Sequence, residues 1–468
     1  MNRTLTISLG FFLTFFAYFA FTAYHLPDDA GPDYRYSQAA ADFYHAENRM
    51  AIYPDDIDKM VFSRYGNSRL LRPPLAYFLA AQMAKLPILK DVERHYAYRL
   101  TIAMLAGLTL LFVFLALRAY FNNIWYAAFG VLSLALMPQF SFYGSYFSDD
   151  MAAFLSSSIL AYAMVIIFKE GINLKRQLLF AFAAGLCIAS KQTAWVFLIP
   201  AIIFYFLFML DYSLNFFKSR DFYLPFSLMT LVFIVGGGWW LLFNVYHYGL
   251  DDFRLSSIAI ELMNQHSKVE LNNLGYAAFG IGIKQLVFLN YHNFIGATYI
   301  AFVGNMNWLD LKVGAWQYGF YLWVVIGIIL NSFILLYKSA EFAIERLRLV
   351  TFEKIPKYIL FELLLYIAII LQIYLFLDHN VSADIQIQGK YLMTIFIPML
   401  ILALSFYAKT LDYLSERFNE FTLPNAARNA IICILMAMPI LIHLDALVNH
   451  VIPFYWPQIS IPAPLSWL

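Results

Sequence analysis

This chain has 468 residues, of which 62% are hydrophobic and only 13% charged, too little polar surface to cover a soluble fold of that length. A net charge of +1 gives no electrostatic case for nucleic acid as a partner. The two cysteines, Cys187 and Cys433, both lie inside apolar runs and read as core residues, neither a disulfide framework nor a metal site. Long apolar runs without strand-like alternation point to an all-α, polytopic transmembrane helical bundle, a single integral-membrane domain over 1–468, because helices satisfy their own backbone in lipid.

The first run, 4–24, carries no charge and matches the ~20 residues that cross a hydrocarbon core. No small-residue cleavage site precedes Pro27, so a retained span is expected, not a removed signal. The run ends in His25-Leu26-Pro27-Asp28-Asp29-Ala30-Gly31-Pro32-Asp33, a proline-broken turn with three carboxylates at the membrane boundary. Such acids can simply end a helix, or they can meet a water-borne acceptor beside a lipid head group. The outer segment 25–96 contains an expected amphipathic helix at 35–49, then Arg69 and Arg72-Pro73-Pro74-Leu75-Ala76-Tyr77-Phe78. The apolar run 75–88 is short for a span and reads as a helix lying along the interface.

Spans are expected next at 97–119, 124–142 and 151–168, with Tyr146-Phe147-Ser148-Asp149-Asp150 as the outer turn between the last two. Acids are favoured at a helix start, so capping is the plain account of Asp150. Between Arg176 and Asp211 the only charged residue is Lys191. One helix there would be about 50 Å long, too long for a single crossing. Two shorter spans, 177–190 and 192–210, with Lys191 at their outer turn, fit better.

A span at 223–247, interrupted by Gly236-Gly237-Gly238, leads into a second outer segment, 248–315. That segment includes an aromatic and amide-rich loop, from His292-Asn293-Phe294 through Gly304-Asn305-Met306-Asn307-Trp308. Spans at 316–337, 358–377, 391–408 and 429–448 follow. Lys390 comes after Gln386-Ile387-Gln388-Gly389, and a proline- and aromatic-rich tail, 451–468, reads as interfacial. This makes about eleven spans. Basic residues concentrated in the short loops of one side, among them Lys175, Arg176, Lys218, Lys338, Lys354 and Lys409, place the N-terminus inside and the C-terminus outside.

On this reading the acids Asp28, Asp29, Asp33, Asp149 and Asp150 and the cations Arg69, Arg72, Lys191 and Lys390 share the outer face. Interfacial cations commonly snorkel without a ligand. Lys191 nevertheless occupies a turn where an uncharged residue would serve, and Lys390 runs against the positive-inside bias. Phosphate contact is therefore the sharper reading. Carboxylates and phosphate-binding cations on one membrane face point to group transfer from a lipid phosphate.

The layout resembles the GT-C superfamily of integral-membrane glycosyltransferases, which use polyprenyl-phosphate-linked sugars. The resemblance rests on the acid after the first span, the long first outer loop with Arg72-Pro73-Pro74-Leu75-Ala76-Tyr77, the pair Asp149-Asp150, and the turn Ser190-Lys191-Gln192-Thr193. Within the superfamily it is similar to a bacterial family of uncharacterised multi-spanning proteins. The shared segments are Gly304-Asn305-Met306-Asn307-Trp308 and Gln388-Gly389-Lys390-Tyr391, with Lys390 in place of that family's Arg. Gly31-Pro32-Asp33 before a helix matches the family context best, although Tyr34 stands where a second acid is usual. Which of Asp28, Asp29 and Asp33 is functional stays open, with Asp33 favoured.

The resemblance implies hexosyl or pentosyl transfer with inversion on the extracytoplasmic face of a bacterial inner membrane. One aspartate would be general base, and Lys191, Lys390, Arg72 or Arg69 would hold the donor phosphate. Asp149 would assist, and Asp150, Asn305 and Trp308 would meet the acceptor or a divalent cation, a possible cofactor that the sequence does not require. The partners would be a polyprenyl-phosphate sugar, membrane lipid, and a glycan or lipid acceptor of the cell envelope such as a surface polysaccharide. The rival class is a transporter or flippase of lipid-linked glycans, which would place ionisable residues near the bilayer midplane on broken helices.

Overall fold

The computed structural model describes residues 3–28, 30–210, 220–270, 274–349, 356–417 and 425–458. Asp29, the loop cations Lys218 and Lys354, and the tail beyond 458 lie outside the described residues. The bundle opens with α1 (Arg3–His25), which Pro27 prevents from continuing. Then come α2 (Tyr34–Glu47), closed by Asn48 in the left-handed conformation, and α3 (Leu75–Met83), which starts directly after Pro73-Pro74. The helices expected at 35–49 and within 75–88 are therefore present.

Helix α4 (Arg94–Phe121) ends at left-handed Asn122 and is followed by α5 (Ile124–Ala135) and α6 (Pro138–Tyr143). The expected span 124–142 is thus broken. Pro138 lacks a donor and holds Met137 extended, at φ −65° and ψ 122°. Next are α7 (Asp150–Glu170), α8 (Leu174–Ser190) and α9 (Gln192–Leu210). Helices α10 (Arg220–Phe233) and α11 (Trp239–Tyr248) are joined by a π-helical turn at Ile234–Gly238. Gly237 has φ +158° there and approaches Gly185 so closely that a Cβ would fall 2.2 Å from the Gly185 carbonyl oxygen.

The second outer segment holds α12 (Ser256–His266), α13 (Ile283–Phe288) and α14 (Phe294–Gly304), then a short antiparallel pair, β1 (Asn305–Met306) with β2 (Leu311–Lys312). The chain closes with α15 (Ala315–Leu349), α16 (Lys357–Ser382), a 3-10 turn Gly389–Ile395, α17 (Phe396–Arg417), α18 (Asn425–Ala446), a π-helical turn Leu447–Val451 and α19 (Ile452–Tyr455).

Among the described residues nine helices are long and apolar enough to cross a membrane. They coincide with nine of the eleven expected spans. The other two expectations fall on the broken α5–α6 pair and on α8, which has 17 residues. The fold is an all-α membrane bundle with α4 and α7 at its centre, 72% and 89% buried over their apolar windows.

Polar contacts fix the surrounding helices. Thr22 of α1 lies 2.5 Å from the Ser145 hydroxyl, and Tyr18 pairs with His443 of α18. Glu362 of α16 is buried yet accepts from Lys409 at 2.8 and 2.9 Å, Asn331 at 3.1 Å and Tyr120 at 3.1 Å, so its desolvation is compensated. Cys187 is buried as expected, whereas Cys433 is exposed on the side of α18 and is not a core residue.

The two large segments share one face. Phe62 stacks on His266 at 3.9 Å, Tyr65 bridges to Ser267, and the Lys268 amide donates to the Arg64 carbonyl at 2.9 Å.

Candidate active site

The loop-bearing face gathers three of the predicted acids and all four predicted cations. At its centre is Asp149, between α6 and α7, only 4% exposed. Its Oδ1 accepts from Lys191 Nζ at 2.6 Å, and its Oδ2 accepts from the Tyr77 hydroxyl at 3.0 Å. Arg69 Nη1 lies 3.6 Å from the same Oδ2. Burial pushes this carboxyl up, but Lys191, Arg69 and Arg72 together outweigh burial and hold it below the usual carboxylate range.

Asp150 begins α7 with its carboxylate turned inward. Its Oδ1 accepts from Lys191 at 2.7 Å, and Lys390 Nζ stands 3.7 Å from its Oδ2. Capping is left to Ser148, whose hydroxyl accepts from the Asp150 amide at 3.4 Å, so the plain account of Asp150 does not describe what it does. Lys191, in the turn between α8 and α9, therefore bridges two buried carboxylates. Burial lowers the ammonium's proton affinity, the two aspartates more than restore it, and Lys191 stays charged.

Asp33 sits at the start of α2 in the left-handed conformation, φ +65°, without a capping hydrogen bond from its side chain. Arg69 Nη2 donates to its Oδ2 at 2.7 Å. The side chain is 40% exposed, and Oδ1 has no hydrogen-bond partner among the described residues. Arg69, which heads a 3-10 turn Arg69–Leu71, thus spans the distance between Asp33 and Asp149.

The other two cations are less satisfied. The Arg72 guanidinium, beside Arg69, makes no hydrogen bond or ion pair with a described residue, and the proximity of Arg69 pushes its proton affinity down. Lys390 is 6% exposed, and among the described residues its ammonium makes no hydrogen bond and faces the Asp150 carboxylate and the Tyr391 ring at 5.4 Å. Its place is set by Gly389, where a Cβ would lie 2.1 Å from the Phe302 Cα, so the 3-10 turn packs backbone to backbone on α14. Four cations face three carboxylates, and the positive charge left over falls on the Arg72 and Lys390 side.

The remaining predicted residues sit apart. Asp28 is 62% exposed and faces His95 at 3.3 Å and Arg99 at 3.6 Å. Asn305 is buried, its backbone N–H donating to Gln139 Oε1 at 2.8 Å while its side-chain Oδ1 has no partner among the described residues. Trp308 is 59% exposed.

Two site residues escaped sequence reasoning. Tyr77 bonds Asp149, and Tyr146 packs its ring on Gly31, two residues before Asp33. A tyrosine in an aromatic-rich chain carries no signal by itself, but Tyr77 lies just after the Pro-Pro segment, in the first turn of α3 and five residues past Arg72. Among the described residues no three His, Cys, Asp or Glu side chains converge as a metal site. Between Asp149 and Asp150 the Lys191 ammonium already takes the position a bridging divalent cation would hold.

Residues 71–240 match the family described as dolichyl-phosphate-mannose-protein mannosyltransferase. The matched stretch carries Arg72, Tyr77, Asp149, Asp150 and Lys191. No curated protein matches the chain. Among solved structures it is similar to ArnT from Cupriavidus metallidurans bound to undecaprenyl phosphate, at 14% identity and a TM-score of 0.48, over 94% of this chain and 70% of that one. The apo state of that ArnT is similar at 12% and 0.47, over 95% and 72%. The archaeal oligosaccharyltransferase AglB from Archaeoglobus fulgidus, in complex with an inhibitory peptide and a dolichol-phosphate, is similar at 14% and 0.42, over 93% and 55%. The family match accords with the resemblance to membrane glycosyltransferases that use polyprenyl-phosphate-linked sugars.

Proposed function

We propose that this chain transfers a sugar, with inversion, from a polyprenyl-phosphate donor to an acceptor hydroxyl at its loop-bearing face, the extracytoplasmic side of a bacterial inner membrane. The observation that carries this reading is the pair Arg72 and Lys390, cations without full counter-charges beside an accessible carboxylate, Asp33. An anionic phosphate placed against Arg72 and Lys390 would complete the charge balance of the site. Lys191, already committed to Asp149 and Asp150, moves from phosphate ligand to the group that keeps those two acids together.

In the reaction the acceptor oxygen attacks the anomeric carbon while Asp33 Oδ1 takes its proton. The bond from that carbon to the phosphate oxygen breaks, and its electron pair leaves on polyprenyl phosphate, where the cations stabilise the growing charge. Asp149, held by Tyr77 and Lys191, keeps Arg69 directed at Asp33. From a phosphate at Arg72 and Lys390 the prenyl chain would run past the outer end of α9 and along that helix toward an apolar cavity of about 130 Å³ lined by Phe180, Ile202, Tyr205, Met209 and Met229.

The test is incubation of the purified protein in lipid nanodiscs with a panel of polyprenyl-phosphate sugars and glycan acceptors. Release of polyprenyl phosphate, abolished in Asp33→Asn, supports the reading. Glycolipid movement across vesicles without release would establish a transporter instead.

A further inference from the structure

Asp33 cannot orient itself. A non-glycine residue at φ +65° is disfavoured by about 1 kcal/mol or more, its side chain makes no cap, and its bond to Arg69 holds only one oxygen. The conformation has to be imposed by the turn that delivers it, and that turn starts where α1 ends, at carbonyls of its last turn and just beyond, which have no intrahelical partners.

Arg99, one turn into α4 and 4% exposed, takes up those carbonyls. Its Nη1 donates to Ala23 O at 3.0 Å and Leu26 O at 2.6 Å, and its Nη2 to Pro27 O at 2.8 Å. A guanidinium at a helix C-terminus is favoured by the helix dipole, and its planar fork fixes direction as well as distance. His95, four residues earlier on the same face of α4, meets Asp28. The Pro27 carbonyl that Arg99 holds also accepts from the Ala30 amide at 3.2 Å. Immediately beyond, Gly31 lies so close under the Tyr146 ring that a Cβ would fall 2.2 Å from it. The central helix α4 thus sets the exit of α1, and Tyr146 sets the next bend before Asp33.

We propose that Arg99 is a positioning residue for Asp33, acting through the backbone of 26–32 and not on the substrate; this rests on Asp33 being the base. The experiment compares Arg99→Gln, Arg99→Lys, Asp33→Asn and the double variant Asp33→Asn with Arg99→Gln in nanodiscs. Turnover, donor KM, thermal unfolding and hydrogen exchange over 24–37 are measured. Arg99→Gln should lower kcat about tenfold or more, the scale expected when a reacting group is displaced, with donor KM within about twofold. Exchange over 24–37 should accelerate while the rest of the chain keeps its protection, and Arg99→Lys should recover part of both. In the Asp33→Asn background the Arg99 change should alter residual turnover by less than about twofold, since the residue it positions is already disabled. A full additional loss there, or protection of 24–37 unchanged in Arg99→Gln, overturns the proposal and leaves the base intact. Wild-type turnover in Asp33→Asn removes the base and this inference together. Should Arg99→Gln fail to fold, Arg99→Lys carries the same comparison, with a partial effect expected and none overturning it.

Discussion

Lys191 shows how partners change the sign of a residue's contribution. As a lone cation between apolar helices it should cost insertion energy. In the folded chain two carboxylates, 42 and 41 residues earlier, close on its ammonium. Lys191→Met would strip two adjacent buried acids of their shortest charge contacts, leaving only Arg69 at 3.6 Å and Lys390 at 3.7 Å, so it should destabilise the protein by up to about 3–5 kcal/mol as well as inactivate it, visible as a lower unfolding temperature in detergent. Arg72→Met should behave differently. Among the described residues its guanidinium has no hydrogen-bond or ion-pair partner to strand, and Asp149 keeps Lys191 and Arg69, so unfolding should change little while donor KM rises about tenfold or more, a loss expected when a charge-assisted phosphate contact is removed. Equal donor kinetics for Arg72→Met and wild type would shift the phosphate role to Lys390. Asp33→Asn should lower turnover about 100-fold or more at unchanged stability. The residue types of the site were legible because charges are rare in this chain and each needs a reason. Their pairings were not, since Tyr77 with Asp149 and Lys390 with Asp150 join residues 72 and 240 positions apart.

Run length and composition delivered most of the elements, because a helix in lipid must be apolar along its whole length. They failed where a local backbone rule intervened, as at Pro138, which splits the run 124–142 into α5 and α6. The broken run leads through α6 directly to Asp149 and Asp150 at the start of α7, so the misread element is the one next to the two buried acids. Two glycines carry comparable weight. In Gly389→Ala the new methyl would meet the Phe302 backbone, which has no rotamer to yield. The 3-10 turn should move off α14 and take Lys390 with it, raising donor KM with kcat less affected. In Gly31→Ala the clash is with the Tyr146 ring and should fall on kcat through Asp33. Gly10→Ala in α1, with nothing within 4 Å of the added methyl, is the matched control and should be silent in both. If Gly31→Ala were equally silent, the Tyr146 contact would not position the base.

Across the whole molecule, contacts at the site constrain how the chain threads the bilayer. Asp150 at the head of α7 and Lys191 at the end of α8 touch, so α7 and α8 leave and return to one face. At 17 residues α8 is about 25 Å long, short of the ~30 Å hydrocarbon core. Its ends can stop short because it packs into α7 and the glycine turn of 234–238, and only backbone exposed to lipid must be helical. The same logic predicts that α5 and α6 together make one crossing, since α4 ends at Asn122 while Asp149 has rejoined the site. If the nine long helices and these two all cross, the count is eleven, and eleven crossings would put the segments rich in Lys and Arg on the inner side. Single cysteines in a background lacking Cys187 and Cys433 test this with a membrane-impermeant maleimide on intact cells. Ile88→Cys, 85% exposed on the loop-bearing face, and Gln458→Cys near the end of the described chain should label from outside. Asn122→Cys and Lys175→Cys, both exposed at the opposite end, should label only after permeabilisation. Labelling of Asn122→Cys in intact cells would remove the crossing by α5 and α6. Protection of Ile88→Cys would turn the site toward the cytoplasm, where its donor would have to be drawn from the inner leaflet.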